Sequence, residues 1–347
     1  MNPLGLLMLV ALGGLVVSTG LPVWALLLGV SSVFAALAGS VAAVVLGRAL
    51  QGAAMAAAVV CGRAMVRDLY EPQEGGMVMA RALTGLGALA IVSPLVGGAL
   101  VAAFGWRAAV AAMGVAGAAA GLFIALKVPE TARHRRADAT QPGPLLRQIG
   151  VTLRHPGFRA WALLVGCTYG GLFIFLAGSG FVLIGALGLS PAAAGAVMSL
   201  CALAYIAGTL LCRRLLARHG LKRTVAIAGL LSASGGLLML LAAALGWHSV
   251  AALLPPFYLF MLGHGIHQPC GQSGAVGPFP QAAGVASALN GFMMMLAAFA
   301  IGRWLGGALD GTVWPLVQGV ALWSLLLAAI AWTLVQRHAP QESADAP

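Results

Sequence analysis

Eleven long apolar runs make up most of the chain and restrict what it can fold into. A helix needs about 20 apolar residues to cross the hydrocarbon core of a membrane. The runs lack the period-two alternation of transmembrane strands, so helices are the expected spanning elements. We predict an all-α membrane protein with 10 or 11 transmembrane helices, because the first run is short for a crossing. The runs occupy residues 4–19, 21–39, 41–66, 77–104, 108–127, 160–184, 191–211, 224–246, 249–270, 284–309 and 313–335.

Charged residues make up only 8% of the sequence, whereas a soluble domain has about 25%. A water-soluble fold is therefore excluded. The net charge of +11 does not indicate nucleic-acid binding, because the basic residues lie in short segments between apolar runs. The chain has no nucleophile elbow, Walker loop or HExxH motif, so we predict that it is not an enzyme and binds no cofactor.

The basic residues predict the orientation in the membrane. Three flank the loop at 63–81, seven lie in 127–159, five lie in 213–223, and Arg337 lies near the C-terminus. These sixteen of the nineteen basic residues fall on one side if the helices alternate in direction. Positively charged loops stay in the cytoplasm. We therefore predict that the central polar segment and the C-terminus are cytoplasmic.

The long polar segment divides the helices into two blocks. We predict an N-terminal bundle of about four or five helices at 1–127, a cytoplasmic linker at 128–158, a six-helix bundle at 159–337 and a cytoplasmic tail at 338–347. Within the bundles, glycines four residues apart predict close helix packing. Gly117 with Gly121 and Gly302 with Gly306 are two such pairs.

Arg48 is a charged residue within the third apolar run. A charge inside the membrane costs several kcal/mol, so this guanidinium should face a cavity or a partner. Gln51 offers a polar neighbour, and Gly52 predicts a close approach of another backbone. The alternative is that Arg48 extends toward the nearby end of its helix and contacts the membrane surface.

Several motifs together resemble the Bcr/CflA-type drug:proton antiporters of the major facilitator superfamily. Arg48-Ala49-Leu50-Gln51-Gly52 is similar to the RxxxG-type motif of that superfamily's fourth helix, and Met65-Val66-Arg67-Asp68-Leu69-Tyr70 is similar to the end of the same helix. The other matching segments are Gly87 to Gly98 with Ser93-Pro94-Leu95-Val96-Gly97-Gly98, Gly105-Trp106-Arg107, Pro129-Glu130-Thr131, and Phe279-Pro280-Gln281-Ala282-Ala283-Gly284-Val285-Ala286-Ser287-Ala288-Leu289.

This resemblance implies a two-bundle transporter that exports drug-like molecules by alternating access, coupled to protons. It implies a monomer in the bacterial inner membrane. It also assigns roles to residues: a transport and proton-coupling motif at Arg48, Gln51 and Gly52, an antiporter-motif helix with Gly87, Pro94, Gly97 and Gly98, and a cytoplasmic gate at Arg67 and Asp68. Pro94 removes a backbone donor, which can bend the helix for gating or bend it without any role in gating.

The chain departs from the family pattern near its start. A first helix with an aspartate and a loop of the G-x-x-x-D-R-x-G-R-K type are absent, so we expect a 12-helix fold that lacks its first helix. All eight acidic residues lie outside the apolar interiors. Histidine is then the candidate for a group that titrates near neutral pH within the spans.

Polar and aromatic residues in the second half of the chain are candidates for the substrate pathway. His264 and His267 share one helix face, and Gln268 follows them. These histidines could line a polar cavity, make structural hydrogen bonds, or bind a soft metal together with Cys270. We predict no metal site, since the five cysteines are scattered and are typical of packing residues. The candidate set is Tyr169, Phe173, Tyr205, His264, His267, Gln268 and Asn290. Phe175, Tyr258 and Met293 to Met295 could also line an apolar, adaptable pocket.

Two other functions fit the same sequence. The chain could be a truncated membrane protein without transport activity, or a transporter of one specific metabolite on the same fold. The sequence does not choose among substrates, because pocket residues are spread over many helices and a fold does not fix a function.

Overall fold

The computed structural model describes residues 20–69, 89, 91–127, 142–279 and 282–338, and the regular elements in these ranges are all helices. Contacts divide the chain into two compact units, Met1–Leu145 and Leu146–Pro347. The first unit contains α1 to α4 and the second contains most of α5 and all later helices. In chain order the helices are α1 Gly20–Leu37, α2 Val41–Leu69, α3 Ile91–Phe104, α4 Trp106–Lys127, α5 Pro142–Arg154, α6 Pro156–Ser179, α7 Pro191–Ala244, α8 Val250–Val276, α9 Ala283–Ala308, α10 Trp314–Trp332 and α11 Leu334–His338.

Seven helical segments in the described ranges are long and apolar enough to cross a membrane. α7 has 54 residues, which would give a continuous helix of about 80 Å, far longer than the hydrocarbon core. Its backbone breaks at Gly220, where φ is 67° and ψ is −179°. α7 is therefore two crossings, α7a (191–219) and α7b (221–244). Together with the short apolar helices Val23–Leu37 and Ile91–Phe104, this confirms the predicted all-α membrane fold.

In the first unit, α1 packs against both α2 and α4 through small residues. A side chain in place of Gly121 would put its Cβ 2.9 Å from Ala25 Cβ, and one in place of Gly117 would lie 3.2 Å from Leu28. The predicted pair Gly117 and Gly121 is therefore confirmed as a packing surface. Close contact between backbones is how membrane helices associate when lipid provides no hydrophobic drive.

In the second unit, α6 packs against α8, α9 and α10, and α7 packs against α8 and α10. The Phe175 and Phe257 rings stack with centroids 3.7 Å apart. A Cβ added at Gly302 of α9 would lie 3.5 Å from the Phe173 ring, whereas one added at Gly306 would meet open space in the described part of the chain. The prediction for this glycine pair is thus supported at Gly302 only.

Side-chain caps fix where two of these helices begin. Ser190 and Ser249 have extended backbones and accept hydrogen bonds from the N–H groups of Ala193 and Ala252. Pro191 follows Ser190 as the first helical residue, a position where the missing N–H costs nothing. These caps set the start of the crossings that carry Tyr205 and His264.

The segment predicted as a linker contains a helix that the sequence did not lead us to expect. α5 spans Pro142–Arg154, and its Ile149 packs against the hydrophobic core of the second unit while Thr152 is fully buried. At the other end, Gln336 of α11 donates a hydrogen bond to the carbonyl oxygen of Lys222 at 3.1 Å. The C-terminal helix is thus joined to the basic segment at 213–223, which surrounds the break at Gly220.

Candidate functional site

A chain of polar side chains connects α1 and α2 in the first unit. The Arg48 guanidinium donates to Gln51 Oε1 at 2.8 Å, and Gln51 Nε2 donates to Ser32 Oγ at 2.5 Å. Ser32 in turn donates to the carbonyl oxygen of Leu28 at 2.6 Å. Gln51 and Ser32 are buried, whereas Arg48 is exposed. The amide of Gln51 therefore connects the exposed cation to the interior of the helix pair.

The close backbone approach near Arg48 lies at a different glycine from the one predicted. Gly52 is exposed, and a Cβ added there would have no atom of the described residues within 4 Å. At Gly47, an added Cβ would lie 2.8 Å from Ala35 Cβ. The helix thus turns Gly47 toward α1 and Gly52 away from it, and the expected backbone approach at Gly52 stays a prediction.

The structure describes only part of the segment that carries the predicted antiporter motif. Pro94, Gly97 and Gly98 lie on α3 and are half-buried, and Gly97 has open space beside it among the described residues. Gly87 lies outside the described residues. Arg67 and Asp68 belong to the last turns of α2. The structure does not describe their side chains, so the cytoplasmic gate stays a prediction.

In the second unit, His264 joins three helices. Its Nδ1 lies 2.9 Å from the Thr168 hydroxyl of α6, and both residues are buried. The Tyr205 ring of α7a lies 5.4 Å from the imidazole, and the Phe260 ring of α8 stacks against it at 6.4 Å. His264 is therefore held by one polar contact and two aromatic rings.

Gln268 lies one turn after His264, on the same face of α8. Its Nε2 lies 3.7 Å from Met294 Sδ of α9, while its Oε1 is shielded from solvent and has no hydrogen-bond partner in the described part of the chain. Asn290 is one turn before Met294 on α9, is 5% exposed, and its Oδ1 is likewise without a partner there. Two uncharged amides thus lie where α8 meets α9.

His267 points to a different place from His264. Its Nε2 lies 3.3 Å from the carbonyl oxygen of Val225 on α7b, and the residue is fully buried. Of the alternatives for the two histidines, this contact favours structural hydrogen bonding for His267. The one-residue difference between His267 and Gln268 rotates the side chains to different neighbours.

Tyr169 and Phe173 stack on each other along α6, with ring centroids 6.2 Å apart. Both are half-buried, and Phe173 lies against Gly302 of α9. The structure thus brings Tyr205 and His264 together, and brings Gln268 and Asn290 to the same pair of helices. We name the residues Thr168, Tyr205, His264, Gln268, Asn290 and Met294 the polar–aromatic cluster.

Thr168 of this cluster was missed by sequence reasoning, as was Ser32 in the first unit. A lone hydroxyl within an apolar run carries no signal that separates it from ordinary packing. Met294 belongs to the run Met293 to Met295, whose composition suits an adaptable surface, but the run alone does not show which sulfur faces inward.

The only carboxylate whose side chain the structure describes is Asp310, in the turn between α9 and α10. Its Oδ1 accepts hydrogen bonds from the Thr312 N–H at 2.9 Å and the Thr312 hydroxyl at 2.7 Å. These bonds favour the ionised form and hold the pKa of Asp310 below its usual value. The described ranges also contain no group of three or more His, Cys, Asp or Glu side chains that could hold a metal ion.

Apolar crossings with buried polar groups inside each bundle define the class: this is a multi-pass helical membrane protein. The chain belongs to the Major Facilitator Superfamily, whose family model matches residues 4–302 and, in a second overlapping match, residues 180–347. Transport, not catalysis, is accordingly its class of activity.

Curated relatives place it near drug transporters. The chain is 32% identical over 245 residues to multidrug resistance protein D of Escherichia coli, a match that covers 70% of this chain and 60% of that protein. It is 27% identical over 275 residues to the uncharacterized MFS-type transporter YdgK of Bacillus subtilis, covering 78% of this chain and 67% of the relative. A bicyclomycin resistance protein homolog of Haemophilus influenzae is 24% identical over 261 residues, covering 75% of this chain and 64% of that protein.

The match thus spans about two thirds of the length of these relatives. Among solved structures, a bacterial homolog of the human lysosomal transporter Spinster in an occupied, inward-facing conformation matches with a TM-score of 0.67 and 14% identity, covering 92% of this chain and 82% of that chain. This likeness confirms the fold.

Proposed function

We propose that the protein exports small lipophilic or amphipathic, drug-like molecules from the cytoplasm by alternating access across a bacterial inner membrane. Two relatives are named for resistance to drugs, which supports this class of substrate. The observation that carries the proposal is the pair of buried amide oxygens on Gln268 and Asn290, which have no partner among the described residues.

An unsatisfied polar group inside a protein costs about 1–3 kcal/mol, and a membrane supplies no water to offset that cost. Such groups persist in native proteins where something else binds them. Amide oxygens accept hydrogen bonds without adding charge. The polar–aromatic cluster is therefore suited to a neutral molecule that presents an N–H or O–H group and buries apolar surface against Tyr205 and Met294.

Coupling to protons is part of this proposal. The sequence keeps all its acids outside the apolar interiors, so a carboxylate is not available there as a proton carrier. His264 is the candidate proton carrier, because its Nδ1 is within hydrogen-bond distance of the Thr168 hydroxyl and its ring lies next to Tyr205. If substrate and protons are exchanged, protons that move inward down their gradient drive the substrate outward.

The test is export in a bacterium that lacks its own efflux pumps. Wild-type protein should raise drug tolerance and lower dye accumulation, and Arg48→Ala should abolish that gain. Asn290→Leu and Gln268→Leu keep the side-chain size and remove the amides, so each should reduce export on the order of 10-fold by deleting a hydrogen bond to substrate. His264→Gln should lower the response of transport to an imposed pH gradient in proteoliposomes.

Met295→Leu is the matched control, because Met295 is 47% exposed on another face of α9. It should transport like the wild type. Equal transport by the Asn290→Leu, Gln268→Leu and Met295→Leu proteins would disprove the role of the amides. No export of any compound in a broad drug panel would disprove drug efflux, and uptake or export of a single metabolite would favour the specific-transporter alternative. The expected absence of a first helix stays a prediction.

A further inference from the structure

Two cysteines that are 58 residues apart in sequence meet inside the second unit. Cys212 Sγ on α7a and Cys270 Sγ on α8 lie 3.6 Å from each other, and both residues are about 3% exposed. Both are free thiols. Nothing in the sequence pattern indicates this pair, because the two cysteines are scattered along the chain and belong to no CxxC motif.

Close packing of α7a and α8 sets the distance between the thiols. The two helices approach at Gly208 and Gly265: a Cβ at Gly208 would overlap the backbone of Leu262, and a Cβ at Gly265 would overlap the backbone of Tyr205. Cys212 lies one turn beyond Gly208, and its sulfur also lies 4.0 Å from the carbonyl oxygen of Ile266. The helices run side by side at this point, so the thiols are held together by backbone packing and do not depend on a flexible loop.

The separation suits a centre that takes two sulfur ligands. Two metal–sulfur bonds of about 2.3 Å that meet at a tetrahedral angle place their sulfurs about 3.8 Å apart. The observed 3.6 Å differs from this by an amount that a small rotation of one side chain would provide. Thiols are soft ligands and prefer soft centres over hard cations such as magnesium or calcium.

Exposed basic residues lie next to the thiol pair in sequence. Cys212 is followed directly by Arg213 and Arg214, which are exposed at the start of the basic segment, so the pair lies near the end of its span. The thiolate is the form that binds metals and attacks electrophiles. The polar–aromatic cluster lies deeper along the same two helices, at Tyr205 and His264, and does not include either thiol.

We propose that Cys212 and Cys270 form a two-thiol site that binds one thiophilic centre, a soft metal cation or a trivalent arsenical, and thereby cross-links α7a to α8. With phenylarsine oxide, two S–H bonds and the arsenic–oxygen bond break, two arsenic–sulfur bonds form, and the oxygen leaves as water with both protons. With Cd²⁺, the two thiols release two protons and the metal binds both thiolates. Neither step changes an oxidation state.

The test uses the full-length protein in detergent with Cys61, Cys167 and Cys201 replaced by alanine, which leaves the proposed pair. This variant should retain one phenylarsine group per chain during washing with a monothiol and release it to a dithiol. In the Cd²⁺ arm it should develop a sulfur-to-metal charge-transfer band that saturates at one ion per chain. Further replacement of either Cys212 or Cys270 by alanine should weaken retention on the order of 100-fold, because the second bond is no longer intramolecular.

The matched control keeps Cys167 on α6 and Cys201 on α7a and replaces the other three cysteines. Like the test variant, it has two buried thiols. It should retain neither probe after the monothiol wash. Size-exclusion profiles identify any variant that fails to fold, and Cys→Ser versions of the same set then replace the alanine versions. Retention of one probe but not the other supports the site and identifies its ligand class. Retention of neither probe, or equal retention by the single-thiol variants, overturns the proposal.

Discussion

At the scale of single residues, Gln51 connects an exposed charged side chain to a buried hydroxyl in the first unit. A charged side chain next to an apolar helix pair needs a polar contact, and Gln51 supplies it from a buried position on the same helix. The same amide reaches Ser32 on the neighbouring helix. The environment of Arg48 is therefore decided by a residue that is three positions away and has no charge.

Replacing Gln51 by leucine should destabilise the α1–α2 pair by about 1–2 kcal/mol, since it removes two hydrogen bonds and leaves Arg48 and Ser32 without that partner. Thermal unfolding followed by fluorescence-detected size exclusion measures the effect as a lower Tm. Leu46→Ala is the control, because Leu46 is 54% exposed on the same helix. A Tm for Gln51→Leu no lower than that of the control would contradict this role.

At the scale of helices, glycine decides which surfaces meet. α4 presents Gly114, Gly117 and Gly121 to α1, where Ser32, Leu28 and Ala25 are in contact range of an added Cβ. In the second unit, Gly208 and Gly265 bring α7a and α8 to backbone contact. The contact between α7a and α8 positions Tyr205 and His264 of the polar–aromatic cluster, and it also positions the two thiols, because all four residues lie on these two helices.

Gly121→Leu should therefore cost about 1–3 kcal/mol, because the new side chain overlaps Ala25 and forces α1 and α4 apart. Ala120→Leu adds comparable bulk one residue earlier, on the exposed face, and should be close to neutral. The comparison is made by Tm and by the monodisperse fraction after solubilisation. Similar behaviour of the two variants would show that this glycine face does not pack as described.

At the scale of the whole molecule, the distribution of charge predicts the orientation in the membrane. The basic segment at 213–223, around the break between α7a and α7b, carries five basic residues. The turn after α7b, at Leu245 to Ser249, carries no Lys or Arg. Positively charged loops remain on the cytoplasmic side, so the two ends of α7b should face opposite compartments.

Single cysteines introduced in a cysteine-free background test this orientation. A His219→Cys protein should react with a membrane-impermeant maleimide only after the cells are permeabilised, because His219 lies in the basic segment. A Trp247→Cys protein should react in intact cells. Both positions are exposed, so access to the reagent depends on the compartment and not on burial. The reverse labelling pattern would overturn the predicted orientation.

Much of the architecture could be predicted from the sequence, while the contacts of the site could not. Run length and missing alternation predict helices, and the glycine spacing at Gly117 and Gly121 predicts a packing face. The rotation of each helix about its axis is harder to predict from the sequence. Almost every residue around these helices is apolar, so the pattern does not show which face packs. That is why the sequence does not show that Gly47, and not Gly52, faces α1.

The sequence by itself determined that the chain spans a membrane many times as helices, because a lipid core accepts no other open arrangement of backbone polar groups. It also located the polar residues within the spans, which are costly in a membrane and therefore indicate a partner or a function. The tertiary structure alone decided which of them meet: His264 with Thr168, Gln268 with Met294, and Cys212 with Cys270. The physical reason is that the members of each pair are far apart in sequence and meet only when different helices pack against each other.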